Sequence, residues 1–135
     1  MKLSKLFAFS HGSKLDLNKM KILDSNKGVN FVGRTARNLG VVAKVEKQDD
    51  LEPYQAGSIT VALGGSVLSS FVQLEPFYTA QNIMVLSPIH EMTLQEKIFY
   101  CICIKKNDFR YTTYGREANR TLKDLEVPHM PPPMD

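Results

Sequence analysis

The middle of the chain alternates short apolar runs with polar stretches that contain glycine or proline. The runs cover Val29–Val32, Val41–Val45, Ser58–Ala62, Ser66–Val72, Phe77–Thr79 and Asn82–Leu86. Short runs of β-branched and aromatic residues, bounded by turn residues, are typical of β-strands. We therefore predict a β-rich middle, with a polar, glycine-bounded loop over residues 34–40 between the first two strands.

Two adjacent glycines, Gly64 and Gly65, separate the third run from the fourth. A two-residue loop of this kind is a common connection between antiparallel strands. The pattern predicts a hairpin in which Ser58–Ala62 and Ser66–Val72 are joined by a tight glycine turn.

After the last predicted strand, the spacing of apolar residues changes to that of a helix. Thr93 and Glu96 have the spacing of a capping box, in which the two side chains bond to the free N–H groups at the start of a helix. Leu94, Ile98, Cys101 and Ile102 recur on one side of the helix that should follow. We predict a helix over about residues 94–105.

The two ends of the chain are less regular than its middle. Leu3, Leu6 and Phe7 have helical spacing and predict a short amphipathic entry turn, after which Gly12 begins a loop. The last residues, 129–135, are rich in proline and should lie outside the core as a linker or disordered tail. A chain of 135 residues with 43% hydrophobic residues has room for one core. We expect one α+β domain over residues 1–128.

Several classes of protein are disfavoured by the composition. No apolar run approaches the length of a membrane span, and the start of the chain turns polar too early for a signal peptide, so we expect a cytoplasmic protein. The two cysteines, Cys101 and Cys103, have a spacing that disfavours a mutual disulfide and suggests buried side chains. We expect no metal, because the three histidines have no paired spacing. No nucleophile elbow, phosphate loop or cofactor motif is present, and we therefore expect neither a cofactor nor catalysis by this chain.

Positive charge is concentrated in two segments, although the net charge is only +3. Residues 1–30 carry six lysines against two aspartates, and residues 105–123 carry six basic residues against two acidic ones. Such runs attract nucleic acid, but they also occur on solvated faces. Charge alone leaves both readings open.

The candidate DNA-binding side chains lie in two groups. Arg34, Arg37 and Asn38 carry the guanidinium and amide groups that pair with guanine and adenine edges, although the same groups could hydrogen-bond a turn. The second group supplies donors for phosphate oxygens and rings that can pack on sugars or bases. Its members are Lys105, Lys106, Arg110, Tyr111, Tyr114, Arg116 and Arg120.

The order of several blocks resembles target recognition domains of restriction-modification specificity subunits, both type I subunits and related type II specificity parts. The blocks are Phe31–Thr35, Asn38–Val41, Gly57–Val61, Gly65–Val67, Pro76–Thr79 with Asn82, and Tyr111–Arg116. The resemblance runs from about Leu3 to Pro128. It implies that Gly57, Thr60, Gly64 and Gly65 shape the hairpin, that Phe77 and Tyr78 pack in the core, and that readout residues lie in the loops between the blocks.

The resemblance implies a domain that recognises double-stranded DNA, while a partner modification subunit supplies S-adenosylmethionine and flips the adenine. The protein partners that we expect are a modification subunit, a restriction subunit or both. Specificity subunits usually carry two recognition domains, so we also expect a second recognition domain or a second copy of this chain. Two other hypotheses stay open. One is a protein-interaction module that docks onto a methyltransferase or nuclease subunit through its β edges and proline tail. The other is a single-strand binder that stacks bases on Tyr111 and Tyr114.

Overall fold

The structure is a computed structural model that describes residues 1–24, 27–108 and 121–128. The predictions for Arg110, Tyr111, Tyr114, Arg116 and Arg120 lie outside the described residues. The same holds for the single-strand stacking hypothesis, which depends on Tyr111 and Tyr114, and for the predicted tail at residues 129–135.

The described residues form two sheets and one α-helix, which confirms the α+β class. The strands are β1 (Phe7–Ser10), β2 (Val29–Val32), β3 (Val41–Val45), β4 (Ile59–Ala62), β5 (Ser70–Val72), β6 (Phe77–Thr79) and β7 (Ile83–Pro88). The helix α1 spans Leu94–Lys105, as predicted, and both hydrogen bonds of the capping box are present at Thr93 and Glu96. Single turns of 3-10 helix lie at Leu3–Lys5, Leu17–Lys19, Asn38–Gly40 and Leu122–Asp124.

The larger sheet has the antiparallel order β1-β7-β4-β5 and carries most of the core. Helix α1 packs on β5 and buries Tyr100, Cys101 and Ile104. The two 3-10 turns at Leu3–Lys5 and Leu122–Asp124 lie side by side, because the Leu3 N–H donates to the Leu125 carbonyl over 2.9 Å. Both turns contribute leucines to the same hydrophobic cluster.

The smaller sheet has the order β3-β2-β6, with β2 antiparallel to β3 and parallel to β6. Phe31, Val45 and Tyr78 form its core. Phe77 and Tyr78 are fully buried, as the resemblance implied. The Tyr78 hydroxyl donates to the Leu51 carbonyl over 2.6 Å, so this buried phenol holds the surface turn before β4.

Two predictions of local structure were wrong. The hairpin of β4 and β5 exists, but its connection covers residues 63–69 and the second strand begins only at Ser70. Residues 66–69 belong to that loop because the Leu68 N–H bonds back to the Ala62 carbonyl. At the N-terminus, the predicted entry turn exists at Leu3–Lys5, but Phe7, which was assigned to that turn, begins strand β1 and pairs with the distant β7.

Candidate nucleic-acid interface

The loop between β2 and β3 holds three of the predicted DNA-binding residues, and its backbone is closed on itself. The Gly33 N–H donates to the Gly40 carbonyl and the Gly40 N–H to the Arg37 carbonyl, each over 2.8 Å. Asn38 and Leu39 have positive φ angles of 50° and 58°, which side-chain-bearing residues seldom adopt. The loop therefore has a defined shape that presents Arg34, Arg37 and Asn38 at the surface.

A buried glutamine attaches this loop to the larger sheet. Gln73, which is 1% exposed, donates through its side-chain amide to the Leu39 carbonyl over 2.7 Å and to the Thr60 hydroxyl over 2.9 Å. A buried amide that spans two elements fixes their relative position, because breaking either bond would leave a polar group unsatisfied. Sequence reasoning missed Gln73, since a polar residue just after a strand reads as the start of a turn.

The connection between β4 and β5 packs against Arg34. The Ser66 N–H donates to the Arg34 carbonyl over 3.2 Å. A Cβ atom at Gly65 would lie 2.7 Å from that carbonyl oxygen, and one at Gly64 would lie 3.0 Å from the Arg34 guanidinium. The two glycines thus allow the loops to approach each other, a role that the hairpin interpretation did not include.

The three polar side chains of the loop differ in the ion pairs and hydrogen bonds that they form within the chain. Arg34 and Arg37 are exposed, and neither forms an ion pair with an acidic residue in the described part of the chain. The Asn38 amide donates to the Val41 carbonyl over 3.2 Å. One side-chain N–H of Asn38 therefore bonds within the turn, as the alternative to DNA binding suggested. The side-chain oxygen of Asn38 accepts no hydrogen bond from any described residue.

Lys105 and Lys106 lie at the last turn of α1, across a groove from this loop. The Lys105 ammonium is bound to the Val67 carbonyl and to the Asp108 carboxylate, each over 3.1 Å. Lys106 is exposed and forms no ion pair with the acidic residues of ranges 1–24, 27–108 and 121–128. The loop that carries the first predicted cluster therefore lines the same groove as Lys105 and Lys106, through Ala36 and Leu39, although the two segments are far apart in the sequence.

The groove is open, apolar and about 830 Å³ in volume. Its walls are α1, β5 and the loop after β2, and the lining residues are Ala36, Leu39, Ser69, Ser70, Phe71, Val72, Leu74, Leu94, Ile98, Cys101, Ile102, Lys105 and Lys106. The predicted apolar stripe of α1 does lie on one side of the helix. Leu94, Ile98 and Ile102 of that stripe face the groove and are 50%, 45% and 52% exposed, whereas Cys101 is buried.

The remaining candidate chemistry is weak. Lys2 and Lys21 of the N-terminal basic segment form ion pairs with Asp124 and Glu46 at 3.7 and 3.8 Å, as expected of a solvated face.

Burial raises the pKa of the Cys101 thiol to about 12. Burial also raises the pKa of the Cys103 thiol, and the positive charge of Lys106 offsets part of that rise. No cluster of metal-ligating residues occurs in the described part. No helix among those same residues is both long and apolar enough to cross a bilayer.

Known proteins resemble the chain in sequence family and in fold. The family model of the type I restriction modification DNA specificity domain matches residues 1–133. None of the curated proteins matches the chain.

Three solved structures share the fold, each over 93% of this chain. The first is the S subunit of a type I restriction-modification system from M. genitalium, with 17% sequence identity and a TM-score of 0.62. The second is the HsdS subunit from Thermoanaerobacter tengcongensis, with 11% identity and a TM-score of 0.67. The third is a chain from a type I R-M system studied for its assembly and conformational transition, with 11% identity and a TM-score of 0.66. The match covers 32%, 31% and 32% of those chains, so this chain spans about a third of their length. At these identities the structural likeness establishes the fold alone.

Proposed function

The chain belongs to the family of type I restriction modification DNA specificity domains, and from this premise we propose that it selects the duplex DNA sequence on which a restriction-modification system acts. The loop between β2 and β3 is the part that reads bases. What carries this proposal is the combination of a fixed loop backbone with two exposed guanidinium groups that have no acidic partner among the described residues.

The proposed roles within the loop follow from the hydrogen-bonding groups of each side chain that have no partner among the described residues. A guanidinium can donate two parallel hydrogen bonds to the O6 and N7 atoms of guanine, and it binds phosphate oxygens in the same way. Arg34 lies close against Gly64 and Gly65, and we assign it as the base reader, while Arg37 reaches either a base or a phosphate. Asn38 keeps its side-chain oxygen and one N–H for an adenine edge.

The lysines across the groove have different roles. Lys106 is exposed and suits a phosphate contact, which would add affinity without sequence preference. Lys105 is bound to the Val67 carbonyl and to the Asp108 carboxylate, which offsets its charge, so it would contact DNA only after releasing Asp108. Arg110, Tyr111, Tyr114, Arg116 and Arg120 stay in the proposal as DNA contacts on the strength of their residue types alone.

We assign no catalytic step to this chain. In this proposal a modification subunit supplies the methyl-transfer chemistry, a restriction subunit cleaves, and a second recognition unit reads the rest of the target. The assembly acts in the cytoplasm, where cellular DNA is the substrate. A domain of this size makes few phosphate contacts, so specific binding should be strongest when a partner adds to the interface.

The test is selection from a randomised duplex pool, with the chain alone and with a modification subunit, followed by sequencing of the bound fraction. We expect one recovered motif, and an affinity for it whose logarithm falls linearly with the logarithm of salt concentration. A bound fraction that remains random in both arms would rule out base reading by this chain.

A second candidate function is a protein-interaction module that docks onto an enzyme subunit, and the exposed apolar groove favours it. Deleting residues 131–135 tests the role first suggested for the tail. If the deletion abolishes binding to a modification subunit while the chain alone shows no DNA motif, the interaction module is the better account.

A further inference from the structure

The loop after β1 lies at the end of the smaller sheet, close to the loop that we propose for base reading. Leu15 forms a parallel bridge with Ala80. The Ala80 N–H in turn donates to the carbonyl of Val32, the last residue of β2, over 2.9 Å. The segment that contains Leu15 therefore lies two strand spacings from the point where the loop between β2 and β3 begins.

Hydrogen bonds to Thr79 fix the backbone of the loop after β1. The Ser13 N–H donates to the Thr79 hydroxyl over 2.8 Å, and the Thr79 N–H donates to the Ser13 hydroxyl over 3.3 Å. The Leu15 N–H donates to the Thr79 carbonyl over 3.0 Å. Between these anchors, Lys14 has a φ angle of 57°, which residues with a side chain keep only where the surrounding contacts determine it. Lys14 thus extends from a defined backbone position.

The ammonium group of Lys14 has no acidic partner in the part of the chain that the structure describes. Lys14 is exposed and forms no ion pair there. The acidic residue nearest in sequence, Asp16, accepts a hydrogen bond from the Asn18 N–H over 3.0 Å and caps the 3-10 turn that follows. Lys2 and Lys21 of the same basic segment form ion pairs. Lys14 therefore differs from them in keeping an uncompensated charge.

We propose that Lys14 binds a backbone phosphate of the duplex whose bases the loop between β2 and β3 reads, an inference that rests on the proposed function. Neighbouring strands lie about 4.8 Å apart, so two spacings separate the two loops by roughly 10 Å. The major groove of B-DNA is about 12 Å wide. A duplex whose major groove receives the Arg34 side chain therefore brings a phosphate at the groove edge to the Lys14 loop. Such a contact positions the duplex without reading its sequence.

The salt dependence of duplex binding tests this contact. Each phosphate contact adds about 0.9 to the slope of log affinity against log salt concentration. Lys14→Asn removes the charge, and asparagine is one of the few residues besides glycine that adopt the left-handed conformation. We expect the slope to fall by about 0.9, with the selected and the permuted duplex weakened alike and the recovered motif unchanged. Lys14→Arg keeps the charge and should keep the slope.

The matched control is Lys5→Asn. Lys5 is exposed, forms no ion pair with a described acidic residue and precedes β1, whereas Lys14 follows that strand. The same charge is therefore removed at the other end of β1, and the slope should stay that of the unaltered chain. Urea denaturation checks that both variants keep the stability of the fold, which we expect because both side chains are exposed.

Two results overturn the proposal. One is a slope for Lys14→Asn equal to that for Lys5→Asn, which would mean that Lys14 contacts no phosphate. The other is a motif that changes at one position in Lys14→Asn, which would mean that Lys14 reads a base. Both are distinct from a failure of the proposed function, in which the unaltered chain selects no motif. The slopes are then compared on a random duplex, because a phosphate contact does not depend on sequence.

Discussion

The side-chain amide of the buried Gln73 donates a hydrogen bond to the main-chain carbonyl of Leu39 over 2.7 Å. Leu39 has a positive φ angle and precedes Gly40, so this bond holds the candidate recognition loop in an uncommon conformation. The same amide also bonds the Thr60 hydroxyl on β4. A single side chain thereby connects the surface that we propose for base reading to the larger sheet.

Replacing Gln73 with methionine keeps the length of the side chain but removes both donated bonds. We expect the free energy of unfolding to fall by about 1–3 kcal/mol, because the Leu39 carbonyl loses its partner. We also expect weaker discrimination between bases, since the loop is no longer fixed. Urea denaturation and duplex selection measure the two effects, with the exposed Gln81→Met as control. Unchanged base preference in a destabilised variant would show that Gln73 supports the fold only.

Arg34→Ala tests the proposed base reader. The variant should lose about 1–3 kcal/mol of discrimination at one base position, and the other positions should keep their preference. Lys123→Ala removes an exposed positive charge on the turn at Leu122–Asp124 and serves as the control for general electrostatics. If both variants weaken binding to every duplex alike, Arg34 contacts the backbone and does not read a base.

Gly64→Ala tests whether the glycine pair positions Arg34. The added methyl group would lie 3.0 Å from the guanidinium, which is flexible and can move, so we expect little loss of stability and a changed base preference. In an Arg34→Ala background the same substitution should change preference no further, because the group that it displaces is gone. Additive effects in this double-mutant cycle would contradict the proposed coupling.

The two cysteines should differ in reactivity. Burial raises the pKa of Cys101 to about 12, so its thiol stays protonated and unreactive near neutral pH, whereas Cys103 is only half-buried. Alkylation at about pH 8 followed by mass spectrometry should therefore label Cys103 first. The Lys106 charge lowers the pKa of Cys103, so Lys106→Ala should slow that labelling. Equal rates at the two cysteines would show that Cys101 is accessible.

Elements defined by local signals could be predicted from the sequence. The bounds of α1 followed from the capping box at Thr93 and Glu96 and the end of the apolar period near Lys105. Strand β1 could not be found in this way, because a four-residue segment becomes a strand only through its pairing with β7. The connection at residues 63–69 was misjudged because Gly64 and Gly65 suit a tight turn, whereas here they make room for Arg34.

The candidate site could be predicted in its residue types but not in its arrangement. Arg34, Arg37 and Asn38 were selected as candidates because they are polar residues in a glycine-bounded loop. That Lys106 lines the same groove as Ala36 and Leu39 of that loop depends on the packing of α1 on β5, which no spacing in the sequence specifies. The apolar stripe of α1 was visible in the sequence, but only the fold shows that Ile98 and Ile102 face outwards.

The most direct test of sequence-specific recognition is a comparison of affinities for the selected duplex and for a duplex of the same composition in permuted order, at equal salt. We predict tighter binding to the selected duplex by about 1–3 kcal/mol for each base pair that is read. We also predict that the combined variant Arg34→Ala, Arg37→Ala and Asn38→Ala binds both duplexes equally. Equal affinity of the unaltered chain for the two duplexes would contradict the account.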